Sequence, residues 1–419
     1  MKNPLSKFLL VGILLLAVAA PALAWDDSGH RLVAYIAWQQ MSPAAREKAV
    51  QLLLSAPEES QLNALYPAPP DHDYTTYPVG ARSKAAKQRD YFMVAAYWAD
   101  IVRDRKYEKR AKYHHGTWHY LDTFWREANG RVEIINDMEN DKENAVTQLF
   151  EFDKVLRSDE KDAEKAIALA WILHVAGDIH QPLHASGRVT PEDPKGGDQG
   201  GNTFSLSPPD AQRKENLHWY WDSIVVRTVP RRNDAADADY LLPIGNQIMK
   251  KYPAARFANR LDLGKFDAWQ QQSFKIASER LYPKTLLRNQ MPSAAYHKMA
   301  FAIAEEQIAL AGYRLGAWLD QVLGNQTAVQ NQTAEREEIE QSGSRLGQGK
   351  DDVGIWHAVR AALVKNAELR DSTIGFDVLD GVITLRGTVS GKKQKNMAEL
   401  SVKNIEGVKA VKNQLKVIN

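Results

Sequence analysis

The chain has 419 residues, 44% of them hydrophobic and 25% charged, with 54 basic against 52 acidic side chains and no cysteine. That length leaves room for a large core and more than one domain. The lack of thiols excludes disulfides and any thiolate-ligated metal, and the near-neutral balance excludes a protein that grips a polyanion through lysine and arginine alone.

In chain order, residues 1–24 read as a secretory signal. Lys2 and Lys7 supply the charged start, residues 8–20 an apolar run, and Ala22-Leu23-Ala24 a small-x-small cleavage site. The apolar run is too short to span a bilayer comfortably. The expected location is therefore periplasmic or secreted. Cleavage after Ala24 makes Trp25 the first mature residue, whose free amine and own carbonyl can together chelate a metal. Losing Lys2 and Lys7 also leaves 52 basic side chains against 52 acidic ones. A phosphate substrate would then need positive charge from bound cations.

From residue 25 to about 323 the pattern is helical. Ser42-Pro43 forms an N-cap and first-turn pair opening a helix over 44–54. Apolar residues at spacings of three and four predict helices over 141–156, 164–178 and 293–323. The last is long enough for a central scaffold helix, or for two helices in line. Two Pro- or Gly-rich stretches, 66–77 and 187–210, read as loops over a site; the second carries Gly196-Gly197-Asp198-Gln199-Gly200-Gly201-Asn202.

Residues 325–350 are rich in Gln, Asn, Thr, Glu, Ser and Gly and mark a linker. Beyond it lies a small unit, 351–419. Helical spacing over 355–364, strands over 373–378 and 382–389 around Asp380-Gly381, a helix over 392–404 and a final alternating strand over 408–417 describe an α+β module. Its 11 basic side chains against 8 acidic ones give a small positive excess, compatible with an anionic surface but not a polybasic patch.

The richest stretch for chemistry is His174-Val-Ala-Gly-Asp178-Ile-His180-Gln-Pro-Leu-His184, followed by His218-Trp-Tyr-Trp-Asp222. Both His-x-x-x-Asp pairs have i, i+4 spacing, so on a helix each projects from one face. Imidazole nitrogen with carboxylate oxygen suits zinc. A single such pair is most often a surface pair or a satisfied core histidine. Two pairs, with His184 just past the helix-stopping Pro182, favour a metal site. His180, two residues from Asp178, faces away from it, and His72, His114, His115, His297 and His357 lack partners by spacing or read better as surface groups.

Trp25-Asp-Asp-Ser-Gly-His30, Trp98-Ala-Asp100, Trp118-His119-Tyr-Leu-Asp122, the His174-to-His184 run and Asn216-Leu-His218 to Asp222 occur in one order. This series resembles the S1/P1 nuclease family across nearly all of 25–324. The resemblance implies a mainly α fold related to zinc-dependent phospholipase C, with three zinc ions. One zinc would take Asp100, His119, His174 and Asp178; a second would take the Trp25 amine and carbonyl, His30 and the shared Asp178; a third would take His184, His218 and Asp222. A bridging role suits Asp178, because a carboxylate has two oxygens to offer. The implied activity is cleavage of single-stranded RNA and DNA to 5′-nucleotides, with 3′-nucleotidase activity, Asp100 and Asp178 serving the reaction.

By the same resemblance, Tyr120 would stack a base and Asp122 would hydrogen-bond its edge; read from the residues alone, Tyr120 is equally a core aromatic and Asp122 a surface or capping acid. Two departures from the family pattern stand out: Asp26 follows Trp25 in place of the usual Gly, and Ser223 follows Asp222 where fungal members carry Asn.

In the small unit, Asp380-Gly-Val-Ile-Thr-Leu-Arg-Gly-Thr-Val389 and Ile405-Glu-Gly-Val-Lys-Ala-Val-Lys-Asn413 resemble the BON domain, a module of periplasmic and outer-membrane-associated proteins. The resemblance implies contact with the envelope or with phospholipid. Two rival functions stay open on the residues: a phospholipase C-like lipid phosphodiesterase, and an envelope-bound binding protein with structural zinc.

Overall fold

The computed structural model describes residues 25–66, 84–231, 237–324 and 352–417, except 353, 354, 356, 357, 360, 361, 364, 365, 370 and 371. The expected signal, most of the 66–77 loop, His72, the 325–350 linker and His357 lie outside the described residues. The chain divides into two compact units, Met1–Thr327 and Ala328–Asn419. No described helix is long and apolar enough to cross a membrane.

Among the described residues the first unit carries twelve α-helices: α1 Asp27–Gln40, α2 Pro43–Leu54, α3 Lys84–Ala95, α4 Trp98–Ile101, α5 Arg110–Tyr113, α6 Ala145–Arg157, α7 Asp162–Asp178, α8 Leu217–Asp222, α9 Ile224–Thr228, α10 Asp237–Lys251, α11 Phe266–Ile276 and α12 Ala294–Leu319. Side-chain caps start several of them. Ser42 Oγ accepts from the Ala45 N–H at the head of α2, with Pro43 in the first turn. Asn144 and Thr147 form a reciprocal capping box that opens α6 three residues later than the apolar pattern begins. Ser293 caps α12, which runs unbroken for 26 residues. The scaffold is thus one helix rather than two in line. Asp26 caps α1 through the Gly29 N–H at 3.1 Å, which gives the unusual aspartate after Trp25 a structural role.

Helix α1 lies along α12, while α7 is buried among α1, α2, α6 and α12. Nearly every residue of α7 from Ala166 onward is buried, so its amphipathic pattern fades toward its C-terminus. Seven tryptophans among the described residues are fully buried, including Trp25, Trp98 and Trp171. Trp171 meets the rings of His119 and His174 edge-on, at 5.4 and 6.4 Å. Trp171 thus packs against two of these rings and limits their rotation.

A three-stranded sheet, order β2-β1-β3, interrupts the helices. Its hairpin, β1 Thr123–Ala128 and β2 Arg131–Ile134, turns at Asn129-Gly130, both with positive φ. Strand β3, Ser186–Arg188, pairs parallel to β1. It lies within the segment expected to be loop.

In the second unit β4 Thr373–Leu379 and β5 Val382–Val389 pair antiparallel around Asp380-Gly381. Helix α13, Lys392–Lys403, packs on them, and the final segment adds parallel to β5. That segment is not one alternating strand: it breaks into β6 Ala410–Asn413 and β7 Lys416–Val417, with Leu415 turned into the small core. The unit has its own hydrophobic cluster, centred on Val359, Ile383, Leu385, Ala398 and Val402.

His180 illustrates how close structural and chemical roles run. Just past α7, its Nδ1–H donates to the Ala176 carbonyl at 2.7 Å and its Nε2 accepts from Arg314 Nη1 at 2.9 Å. Both side chains are buried, and Arg314 also donates to the Arg260 carbonyl. His180→Ala should cost about 1–3 kcal/mol, because it leaves part of a buried guanidinium unanswered. Urea unfolding of the metal-loaded variant checks this, with metal content expected to stay at the wild-type level; loss of metal would place His180 in the ligand set.

Candidate metal centre

The buried end of α7 presents His174 and Asp178 on one face, one turn apart. The His174 Nδ1–H donates to the Ala96 carbonyl at 2.8 Å, which aims Nε2 inward. There it lies 3.0 Å from His119 Nδ1 and 3.4 Å from Asp178 Oδ2. His119, from the tight turn Gly116–His119, is itself 3.0 Å from Asp178 Oδ2. Asp100 of α4 completes this group: it, His119 and His174 each offer a ligand atom, all within 4.8 Å of one another.

The other oxygen of Asp178 faces a different segment. Oδ1 lies 3.3 Å from His30 Nε2 on α1, and His30, His174 and Asp178 form a second group of the same compactness. The His30 ring stacks on His174 at 3.9 Å. Such an approach requires glycine at 177, where a Cβ would stand 2.8 Å from His30 Nδ1. Trp25 is buried at the head of α1 against Gly29, and the Asp26 N–H donates to the Asp222 carbonyl at 3.1 Å. The chain next to Trp25 is thereby tied to the third group.

That third group is His184, His218 and Asp222. His218 and Asp222 lie one turn apart on α8, with Nε2 3.4 Å from Oδ2. Each member is oriented from behind. The His184 Nδ1–H donates to the His119 carbonyl at 2.7 Å, the His218 Nδ1–H donates to the Gly200 carbonyl at 2.7 Å, and Gln181 Nε2 donates to Asp222 Oδ1 at 2.7 Å. Gly200 has a φ of +61°, and a Cβ there would fall 2.4 Å from the Leu183 carbonyl oxygen, so glycine is needed to deliver this carbonyl. The glycine-rich run expected to loop over a site instead moulds one wall of it.

The donor chemistry fits metal ions. Among the described residues, both oxygens of Asp100, Oδ1 of Asp178, Oδ2 of Asp222, Nε2 of His119 and both ring nitrogens of His30 are buried without a hydrogen-bond partner. Buried polar atoms are rarely left so, and these converge. Burial pushes His30 and His119 well below the usual imidazole range and lowers His174, so all three are neutral and can ligate. Burial also pushes the Asp178 and Asp222 carboxyls well above the usual carboxylate range. Only a nearby positive charge keeps such carboxylates ionised.

Two of the groups reach a cavity of about 680 Å³, whose wall includes His119 and His218. Tyr120 and Asp122 both line it, half-buried. Burial and the negative charge of Asp198 push Asp122 up to about 8. Asn140 pins the backbone of Asp122, accepting from its N–H at 3.1 Å and donating to its carbonyl at 2.7 Å. Arg103, one turn after Asp100, also lines the cavity and brings Nη1 within 3.4 Å of Asp100 Oδ1. Sequence reasoning passed over Arg103 and Asn140; for Arg103 the signal was its i+3 spacing from a proposed ligand.

Ser223 points away from the cavity: its hydroxyl donates to the Trp219 carbonyl at 2.5 Å and accepts from Arg227 Nε at 2.6 Å. Of the other histidines, His297 is engaged by Tyr220 and Thr228, while His114 and His115 line the cavity. Lys112 pairs with Glu59 at 2.8 Å, as a solvated face would.

A mainly helical unit with three buried groups of histidines and aspartates able to hold metal ions defines the class of protein. The S1/P1 Nuclease family model matches residues 25–324 and the BON domain model matches residues 351–419. The chain belongs to the S1/P1 nuclease family and carries a C-terminal BON domain. It is 25% identical over 330 residues to Endonuclease 2 of Arabidopsis thaliana, covering 74% of this chain and 94% of that protein. With Nuclease S1 of Aspergillus oryzae (strain ATCC 42149 / RIB 40) it shares 24% identity over 330 residues, 73% of this chain and 94% of the relative.

Two outcomes follow from the geometry. Asp178→Asn should remove metal from two of the three groups at once, since its oxygens face different histidines; elemental analysis of the purified variant should show that loss, and full metal content would refute the shared role. Asp122 bears on pH. Its folded-state pKa lies above its unfolded one, so the stability it contributes is complete below about pH 4 and is lost as pH rises through about 8. Asp122→Asn should therefore flatten the decline in urea midpoint across that window, and an unchanged slope would count against the shift.

Proposed function

We propose that the chain is an exported, zinc-dependent phosphodiesterase that cuts single-stranded RNA and DNA to 5′-nucleotides and also acts on 3′-nucleotides. One observation carries this reading: three buried His/Asp groups, two of them joined through His174, include His119 and His218 in the wall of a cleft that also presents Tyr120 and Asp122. Family membership supports it. In this reading residues 25–324 form the catalytic unit and 325–350 link it to the BON domain. Asp100, His119, His174 and Asp178 hold one zinc. The Trp25 amine and carbonyl, His30 and Asp178 hold a second, and His184, His218 and Asp222 a third.

Zinc bound there would supply Lewis acidity toward phosphate oxygens and lower the pKa of a coordinated water to about 7. The protein's own groups do the rest. Asp100, with Arg103 beside it, orients the attacking water, and the Arg103 guanidinium offers donors to a non-bridging phosphate oxygen. Tyr120 offers a stacking face, worth about 1–3 kcal/mol for an unpaired base. Asp122, carrying its proton at neutral pH, both donates to and accepts from a base edge. Trp171 keeps water from the rear of the histidines.

Export is supported by the charged, apolar and small-residue pattern of 1–24, and envelope or phospholipid contact by the BON domain. One feature favours a phospholipase C-like reading instead. Glu139, Asp141 and Glu143 make one rim of the cleft acidic, which suits a cationic lipid headgroup.

Assay of the processed, zinc-loaded protein separates the two. Single-stranded DNA should be cut faster than duplex, leaving 5′-phosphates; chelation should abolish turnover, and Arg103→Ala should lower kcat/KM at least tenfold. Cleavage of phosphatidylcholine with no action on nucleic acid would overturn the proposal.

A further inference from the structure

A second cavity, about 600 Å³, lies against the cleft and shares two wall residues with it, His115 and Trp118. The volume falls within the range of about 300–1,000 Å³ common for small-molecule sites. The two shared rings stack face to face, 3.6 Å apart and 7° from parallel, and form a thin ridge between the spaces. Trp118 Nε1–H donates to Glu143 on the cleft side at 3.0 Å. On the other side, Trp118 meets Phe152 and Trp171 edge-on at 5.5 and 5.0 Å. Val155 and Ile167, both half-buried, complete the apolar wall.

The ionic groups at this second space cancel: Lys112 and Lys161 against Glu160 and Glu164, with Lys112 already engaged by Glu59. Nothing there selects a net charge. The surface is aromatic, concave and continuous with a cleft that, on the reading above, takes an unpaired base at Tyr120. We infer that this cavity is a further subsite of that cleft, holding one unpaired nucleobase of the substrate strand outside the scissile nucleotide, stacked on the His115–Trp118 ridge. A π-face without net charge is what every base offers, and only an unpaired base can leave its partner to reach it. The subsite would favour single strands over duplex independently of the metal ions, and strands over dinucleotides. It rests on the nuclease reading.

The test fills the cavity from its far side. Ile167→Trp, with Val155→Phe as a second variant should the first fold poorly, touches neither the cleft nor any candidate ligand. Zinc-loaded full-length proteins would be compared on a dinucleotide and on a short single-stranded oligonucleotide, intact or with one abasic position moved along it. In the wild type, one abasic position away from the scissile bond should raise KM about fivefold or more. In the filled variant, KM for the intact strand should rise by a similar factor, the abasic penalty should vanish, and dinucleotide turnover should stay unchanged.

An abasic scan without a penalised position, or a penalty that survives filling, would overturn the subsite while leaving the nuclease reading in place. Competitive inhibition by a short-chain alkyl phosphate, relieved by filling, would assign the cavity to a lipid chain and overturn it too. A wild type that cuts neither nucleic-acid substrate would bring down both inferences.

Discussion

Burying Asp178 and Asp222 beside imidazoles, with Arg103 set against the nearby Asp100, is the constraint around which this fold is arranged. Asp178 and Asp222 are wholly enclosed, and Asp100 nearly so. In a low-dielectric interior an unpaired carboxylate is far too costly to keep as a charge, so it either holds a proton or meets a cation. The neighbours of Asp178 are imidazoles, themselves held neutral by the same burial. Neutral nitrogen and bare oxygen donors pointing at common centres solve the problem only jointly, through a multiply charged ion. The architecture follows from this need: α1, α4, α7, α8 and two tight turns each bring one or two donors to a place no single element could furnish.

The orientation of these donors is imposed by backbone carbonyls. Ala96, His119 and Gly200 each take an Nδ1–H from one histidine, leaving Nε2 of His174, His184 and His218 to face inward. His119 does double duty, since its ring faces Asp178 while its carbonyl steers His184 of another group. The groups are therefore geometrically linked through main chain as well as through the shared side chain.

Much of this arrangement was legible in the residues because it depends on local periodicity. His174 with Asp178, and His218 with Asp222, sit one helical turn apart and do share a face in each case. The Ser42-Pro43 start is readable from its capping chemistry, and the start of α12 from apolar spacing. What escaped was of two kinds. The Asn129-Gly130 dipeptide is a local hairpin signal for β1 and β2, set within a stretch whose wider pattern is helical. Strand β3 and the contact of Asn140 with Asp122 depend instead on segments far apart in sequence, and no local pattern announces them. The break of the last strand at Leu415 is of the same sort, decided by a small core that needs an apolar side chain turned inward.

The segment 174–184 carries donors to the polar centre alternately with groups that hold the core. His174, Asp178 and His184 look one way, while His180, between them, grips Arg314 of the longest helix. With ions held by that segment, their binding energy is spent on the same stretch of backbone that anchors α12 to the rest of the unit. On the proposed function, metal-ion supply would then act as a folding factor, governing how many copies survive proteolysis as well as how many turn over substrate.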